Sequence, residues 1–257
     1  MLTEAAQKII SDYLALPFPS GPVQCPYYNN DRLKLRAGLR AHVGKGSPAD
    51  IVEEAHIVSL HEKIDLAKLS PEAIKKFLVE HRLGVDCSGF VYYILDAELK
   101  ARGQGGLASK IKFTGAQTPW RKILARLRPP ENTGVATLGN DQNSYKINLS
   151  EAKPGDFIIM RAPEKNKYIS HVVLIEKVTT NNNGMPVLGY IHSVPWKSDG
   201  RYESGVRRGH ITVTKPSGNL LEQTWEEKNA VNNQNETYAE RAKLASILEL
   251  RRLRALA

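Results

Sequence analysis

Apolar residues recur at helical spacing through the first third of the chain. Ala6, Ile9, Ile10, Tyr13 and Leu14 fall on one face behind Thr3 as a cap, which predicts an amphipathic helix over residues 3–15. Pro17, Pro19, Gly21, Pro22 and Pro26 then force an extended, turning segment that ends in Cys25-Pro26-Tyr27-Tyr28-Asn29-Asn30. From Leu33 to about Leu83 the pattern is helical again: a basic piece over Leu33–His42, a glycine break at Gly44 and Gly46, and a helix opened by Pro48 and Asp50. A further helix is capped by Ser70-Pro71-Glu72 and carries Ile74, Phe77 and Leu78 on one face. After Gly89 six apolar or aromatic residues run together, as in a helix buried nearly all round.

The second half changes period. Phe157–Met160, His171–Val178, Val187–Val194 and Arg208–Thr214 are short, β-branched, apolar runs separated by turn residues, and they predict an antiparallel meander. Residues 107–150 carry Trp120, Arg121, Lys122, Arg126 and Arg128 with little periodicity, a basic insertion. Residues 219–235 are polar and irregular. Leu244, Ile247, Leu248, Leu250, Leu253 and Leu256 share a helical face, so a basic helical tail is expected over about 237–257, docked on the body or free to meet a membrane surface or a partner. The sum is an α+β fold in a single domain over 1–257.

Composition narrows the class of protein. With 41% hydrophobic and 25% charged residues, 257 residues suffice for a core that needs no metal or disulfide scaffold. Two cysteines, Cys25 and Cys87, are too few for a disulfide framework or a zinc site, so reduced thiols and no metal or cofactor are expected. The first residues lack the basic start and unbroken apolar run of a signal peptide, and no apolar run is long enough to span a membrane, which predicts a cytoplasmic location. The net charge of +9 points to an anionic partner: nucleic acid, a lipid surface or an acidic wall polymer.

The chemistry concentrates at Gly84-Val85-Asp86-Cys87-Ser88-Gly89. Asp86 and Ser88 are good caps, so Cys87 falls at a helix N-terminus, where the dipole is expected to lower a thiol pKa from about 8.5. A nucleophile there needs a base. Of seven histidines, four precede the cysteine and three lie on expected strands. His171 opens the most apolar strand and is expected to face an element packed across the sheet. His192, on the next strand, can be its lateral neighbour and fix its tautomer.

Asp86-Cys87-Ser88-Gly89-Phe90-Val91 resembles the nucleophile motif of the NlpC-type cysteine peptidases, papain-like bacterial enzymes that cleave peptide stems of peptidoglycan. In the same order, Lys153-Pro154-Gly155-Asp156-Phe157 is similar to that family's turn before the base, His171-Val172-Val173-Leu174-Ile175 to its histidine strand, and Gly189-Tyr190-Ile191-His192-Ser193 to the strand bearing its third catalytic residue. The resemblance implies a papain-like core in which Cys87 is the nucleophile, His171 the base and His192 its orienter, and it places Asp86, Ser88 and Tyr27, with Tyr28 as the alternative, around a substrate amine. The stretches from Tyr27 to Cys87 and from Cys87 to His171 are longer than in that family, which predicts insertions at about 31–82 and 103–149 beside the cleft.

The implied activity is hydrolysis of an amide in peptidoglycan stem peptides or muropeptides. A wall substrate would require release by lysis or a non-classical route, or soluble fragments inside the cell. Two other readings remain open at this level: a thiol acyltransferase or amidase acting on a lipid or other small amide, and a decayed, basic binding protein for nucleic acid or anionic wall polymer.

Overall fold

The computed structural model describes residues 1–30, 38–114, 118–163, 170–195, 198–228, 235 and 238–257. Its helices are α1 (Glu4–Leu14), α2 (Pro48–Glu62), α3 (Pro71–Glu80), α4 (Cys87–Ala101), the short α5 (Leu107–Lys110), α6 (Pro119–Leu127), the short α7 (Pro129–Asn132) and α8 (Val135–Leu138), and α9 (Ala239–Ala242). Strands β1 (Leu16–Phe18) and β2 (Gly21–Val23) form a small hairpin. The remaining strands are β3 (Ser144–Lys146), β4 (Phe157–Arg161), β5 (His171–Thr180), β6 (Pro186–Val194), β7 (Gly205–Thr212), β8 (Thr224–Glu226) and β9 (Ile247–Leu253). These seven make one antiparallel sheet in the order β3-β9-β4-β5-β6-β7-β8. The fold is α+β, as the patterning predicts.

The helix starts follow from local chemistry. Thr3, Ser47 and Ser70 each accept a backbone N–H in the first turn of α1, α2 and α3, and proline at the first position of the latter two removes a donor that would have no partner. Asp86 caps α4, its Oδ1 taking the Gly89 N–H at 2.7 Å. Gly89 is required by packing: a Cβ there would stand 2.9 Å from the Gly44 carbonyl oxygen.

Strand alternation divides the interior into two layers. Phe157, Ile159, Val172, Leu174, Ile191 and Val206 face the layer that holds α1 and α4, against Phe90, Ile94 and Leu95. Ile158, Met160, Val173, Ile175, Leu188 and Tyr190 face the other layer, closed by Trp225, Leu220 and Tyr238. Most of each side chain's area leaves water, worth about 1.5–3 kcal/mol apiece for the large aliphatic and aromatic groups. The expected insertions belong to this interior: Ile51, Ala55, Ile74, Phe77, Leu107 and Leu138 all join the α4 layer.

The C-terminus corrects the sequence reading. In place of a helical tail over 237–257, only Ala239–Ala242 is helical, and Ile247–Leu253 is β9, inserted between β3 and β4. Arg, Glu and Leu favour helix, but here both edges of the segment pair, with Leu250 opposite Ile158 and Leu253 opposite Ser144. The buried Arg251 guanidinium donates to Ser144 and Glu249, and Arg252 clasps the buried Asp156 at 2.8 Å and 2.9 Å. Tertiary pairing outweighs a propensity that amounts to tenths of a kcal/mol per residue. Two further readings shift. The polar stretch after Asn219 contributes β8, and residues 119–127, read as aperiodic, form α6. In the basic piece expected at Leu33–His42, residues 33–37 lie outside the described residues, and Arg40–Val43 is a 3-10 turn.

Candidate active site

Cys87 opens α4 and is 7% exposed. The preceding strand-like segment is pinned on both sides: Val85 donates its N–H to the Pro26 carbonyl at 3.1 Å and accepts from Tyr28 N–H at 3.3 Å and from the Ser193 hydroxyl at 2.7 Å. These contacts tie the cysteine turn to the Tyr27 loop and to β6. The backbone of Val172, the second residue of β5, lies near enough to the Cys87 sulfur to lower the thiol pKa.

His171 and His192 come together as the spacing suggests. His171 Nε2 lies 2.8 Å from His192 Nδ1, both rings buried. Their face differs from the expectation. They share the parity of Val173 and Tyr190, on the side of the sheet away from the body of α4, because the helix-facing positions are taken by Val172, Leu174 and Ile191. His171 stands at the first position of its strand, next to Val172.

A third group completes the line. Glu227, 1% exposed, places Oε2 2.9 Å from His192 Nε2 and accepts the Tyr190 hydroxyl at 2.8 Å. A carboxylate oxygen accepts, so His192 presents an N–H on Nε2 to Glu227, and its ring is held between that carboxylate and His171.

Tyr238 covers this line, its ring centroid 4.9 Å from that of His171 and 4.8 Å from that of His192, with the Arg241 guanidinium over its other side. Burial raises the Tyr238 phenol well above its ordinary range; Arg241 opposes the rise, while Cys87, Glu227 and Tyr27 add to it. These groups therefore share one electrostatic neighbourhood.

The Cys87 thiol departs from its expected acidity. Burial pushes it up to about 12, the Asp86 charge adds to the rise, and the Val172 N–H, Lys45 and Arg241 pull back. A helix N-terminus contributes about 0.3–1 kcal/mol, less than one pH unit, whereas full burial moves such a group by several. Burial likewise holds His171 well below its ordinary pKa, with the charges of His192 and Arg241 acting in the same direction. Burial therefore disfavours both the thiolate and the imidazolium.

Asp86 and Ser88 flank the thiol but are engaged by Lys45. Its buried ammonium donates to Asp86 Oδ1 at 2.8 Å, to Ser88 Oγ at 2.5 Å and to the Thr133 carbonyl at 3.4 Å, and Ser88 also donates to Asp86. Tyr27 bridges to the Val85 backbone, and its hydroxyl accepts from Asn29 at 2.7 Å; burial raises its pKa, with Cys87 and Asp86 contributing. Tyr28 meets Val85 through its backbone and is half-buried. Cys25 is a buried free thiol with its Sγ 3.5 Å from the Pro26 carbonyl. Among the described residues no group of three or more His, Cys, Asp or Glu side chains is placed to hold a metal ion.

Glu227, Tyr190, Tyr238 and Lys45 escape the sequence reading. Tyr190 carries a usable signal, two positions before His192 and hence on the same face. Glu227 sits in a stretch read as irregular, Tyr238 at the start of an expected helix, and Lys45 between two glycines read only as a break. Comparison of the chain with family models, curated proteins and solved structures finds no match.

Proposed function

We propose that this protein is a thiol hydrolase of amide bonds, with an NlpC-type, papain-like arrangement of Cys87, His171 and His192. The observation that carries the reading is the buried line Tyr190–Glu227–His192–His171, which holds His171 at the start of β5, next to Val172, whose backbone lies near enough to Cys87 to lower the thiol pKa. A buried carboxylate that fixes one imidazole against another is an arrangement suited to orienting a base. In the reaction the imidazole takes the thiol proton, the thiolate attacks the carbonyl carbon, and the imidazolium returns the proton to the departing amine. Water, deprotonated by the same nitrogen, then releases the acid from the thioester. The Cys87 backbone N–H, in the first turn of α4, is the donor this reading assigns to the developing oxyanion.

The substrate class proposed is the peptide stem of peptidoglycan or its soluble fragments, from the motif resemblance and the basic charge. Lys45 already occupies Asp86 and Ser88, so recognition at that place does not depend on a substrate amine. Purified peptidoglycan and muropeptides are incubated with the protein and with Cys87→Ala, and the products are read by mass spectrometry. Peptide-bond cleavage by the former alone is expected. Equal inactivity of both proteins on every substrate would sink the reading.

A further inference from the structure

Helix α6 has an inverted surface. Trp120, Ile123 and Leu127, at the i, i+3, i+7 spacing of one stripe, are 67%, 51% and 67% exposed, whereas Leu124 on the same stripe is half-buried and the fully buried residue of the helix is the small Ala125. An apolar stripe of this size is ordinarily the buried face. Its rim is cationic: Arg121, Lys122 and Arg126 are exposed, and Pro119–Leu127 contains no acidic residue. The nearest acid in sequence, Glu131, is already shared by Arg40 and Arg128.

We propose that α6 docks this protein on an anionic lipid surface, lying in the plane of the interface with Trp120, Ile123 and Leu127 among the acyl chains and its basic rim against the headgroups. Charge complementarity selects the occupant. The chain carries +9 overall, and juxtaposed basic residues gain from the negative potential of an anionic leaflet. A tryptophan with long aliphatic side chains opposite Arg and Lys is the composition of interfacial helices. Nucleic acid is the weaker fit, since Ile123 and Leu127 offer neither stacking surface nor hydrogen bonds to a base. None of the residues placed around Cys87 belongs to α6, so docking and hydrolysis can be tested separately.

The test is co-sedimentation of the full chain with phosphatidylcholine vesicles, with and without phosphatidylglycerol, at physiological salt. Trp120→Ser/Ile123→Ser/Leu127→Ser serves as the comparison; all three positions are exposed, and circular dichroism and the melting temperature check the fold. Binding to the anionic vesicles alone, weakened at least roughly tenfold by the triple substitution and lost in high salt, is the expected result. Absence of vesicle binding, or binding unchanged by the triple substitution, overturns the proposal. So does a wild-type dimer that the triple substitution converts to monomer, or tighter binding to duplex DNA that depends on the same three residues.

Discussion

His171 Nε2 and His192 Nδ1 lie 2.8 Å apart, and Glu227 holds the second ring from its far side through Nε2 at 2.9 Å. Replacing that carboxylate by an amide, Glu227→Gln, removes the charge that orients the His192 ring. We expect kcat to fall by about 10²-fold or more, with roughly 1–3 kcal/mol lost from folding as Tyr190 and His192 lose their shared acceptor. Parallel measurement of kcat and urea unfolding separates the two effects. A destabilised variant of unchanged kcat would reduce the relay to a structural device.

Acid should unfold this protein through His171. Its folded pKa lies well below 6.5, so between that value and 6.5 the unfolded chain binds the extra proton and stability rises with pH. Stability is therefore full above about pH 6.5 and is lost as pH falls, at up to about 1.4 kcal/mol per pH unit from this group. Denaturant titrations across that window should show the slope, flattened in His171→Gln. Equal slopes in the two proteins would assign acid sensitivity elsewhere.

Lys45 and Asp86 form a pair beside the thiol at 2.8 Å, with side chains only 10% and 16% exposed. Lys45→Met leaves a nearly buried carboxylate without its cation, and a loss of about 3–5 kcal/mol is expected. It also removes a charge that pulls the Cys87 thiol down, so the surviving folded protein should alkylate more slowly at a given pH. Asp86→Asn keeps a capping oxygen, and combining it with Lys45→Met should recover part of the stability. A double-mutant cycle with no coupling between the two positions would contradict this account.

Tyr238 lies against both imidazoles, and Cys87 is 7% exposed. Tyr238→Ala should admit water and reagent and lower the thiol pKa by relieving burial. An increase of at least roughly tenfold in iodoacetamide labelling of Cys87 near neutral pH is expected. The substitution should cost about 3–5 kcal/mol, as for loss of other buried aromatics. Labelling as slow as in the parent protein would mean that another element closes the site.

Much of the architecture was legible because it rests on local rules. The Thr3, Ser70 and Asp86 caps, the proline starts and the β-branched runs at Phe157, His171 and Val187 each specify their element within a few residues. The cysteine turn and the pairing of two strand histidines across one hairpin were legible for the same reason. Illegible were elements whose state depends on distant partners. Ile247–Leu253 has a helix former's composition and becomes a strand only because β3 and β4 leave a gap between them. Glu227 and Lys45 look like solvated charges until a fold buries them against a histidine and an aspartate.

By itself the sequence determined that a cysteine begins a buried helix and that an antiparallel meander follows with histidines on adjacent strands, since capping and alternation act over a few residues. Only the tertiary structure decided the pKa of that cysteine, which burial raises against the helix dipole. It also decided which groups surround His171 and what covers the site. Those depend on low-dielectric surroundings and on contacts such as His192 with Glu227, 35 residues apart, which no local pattern encodes.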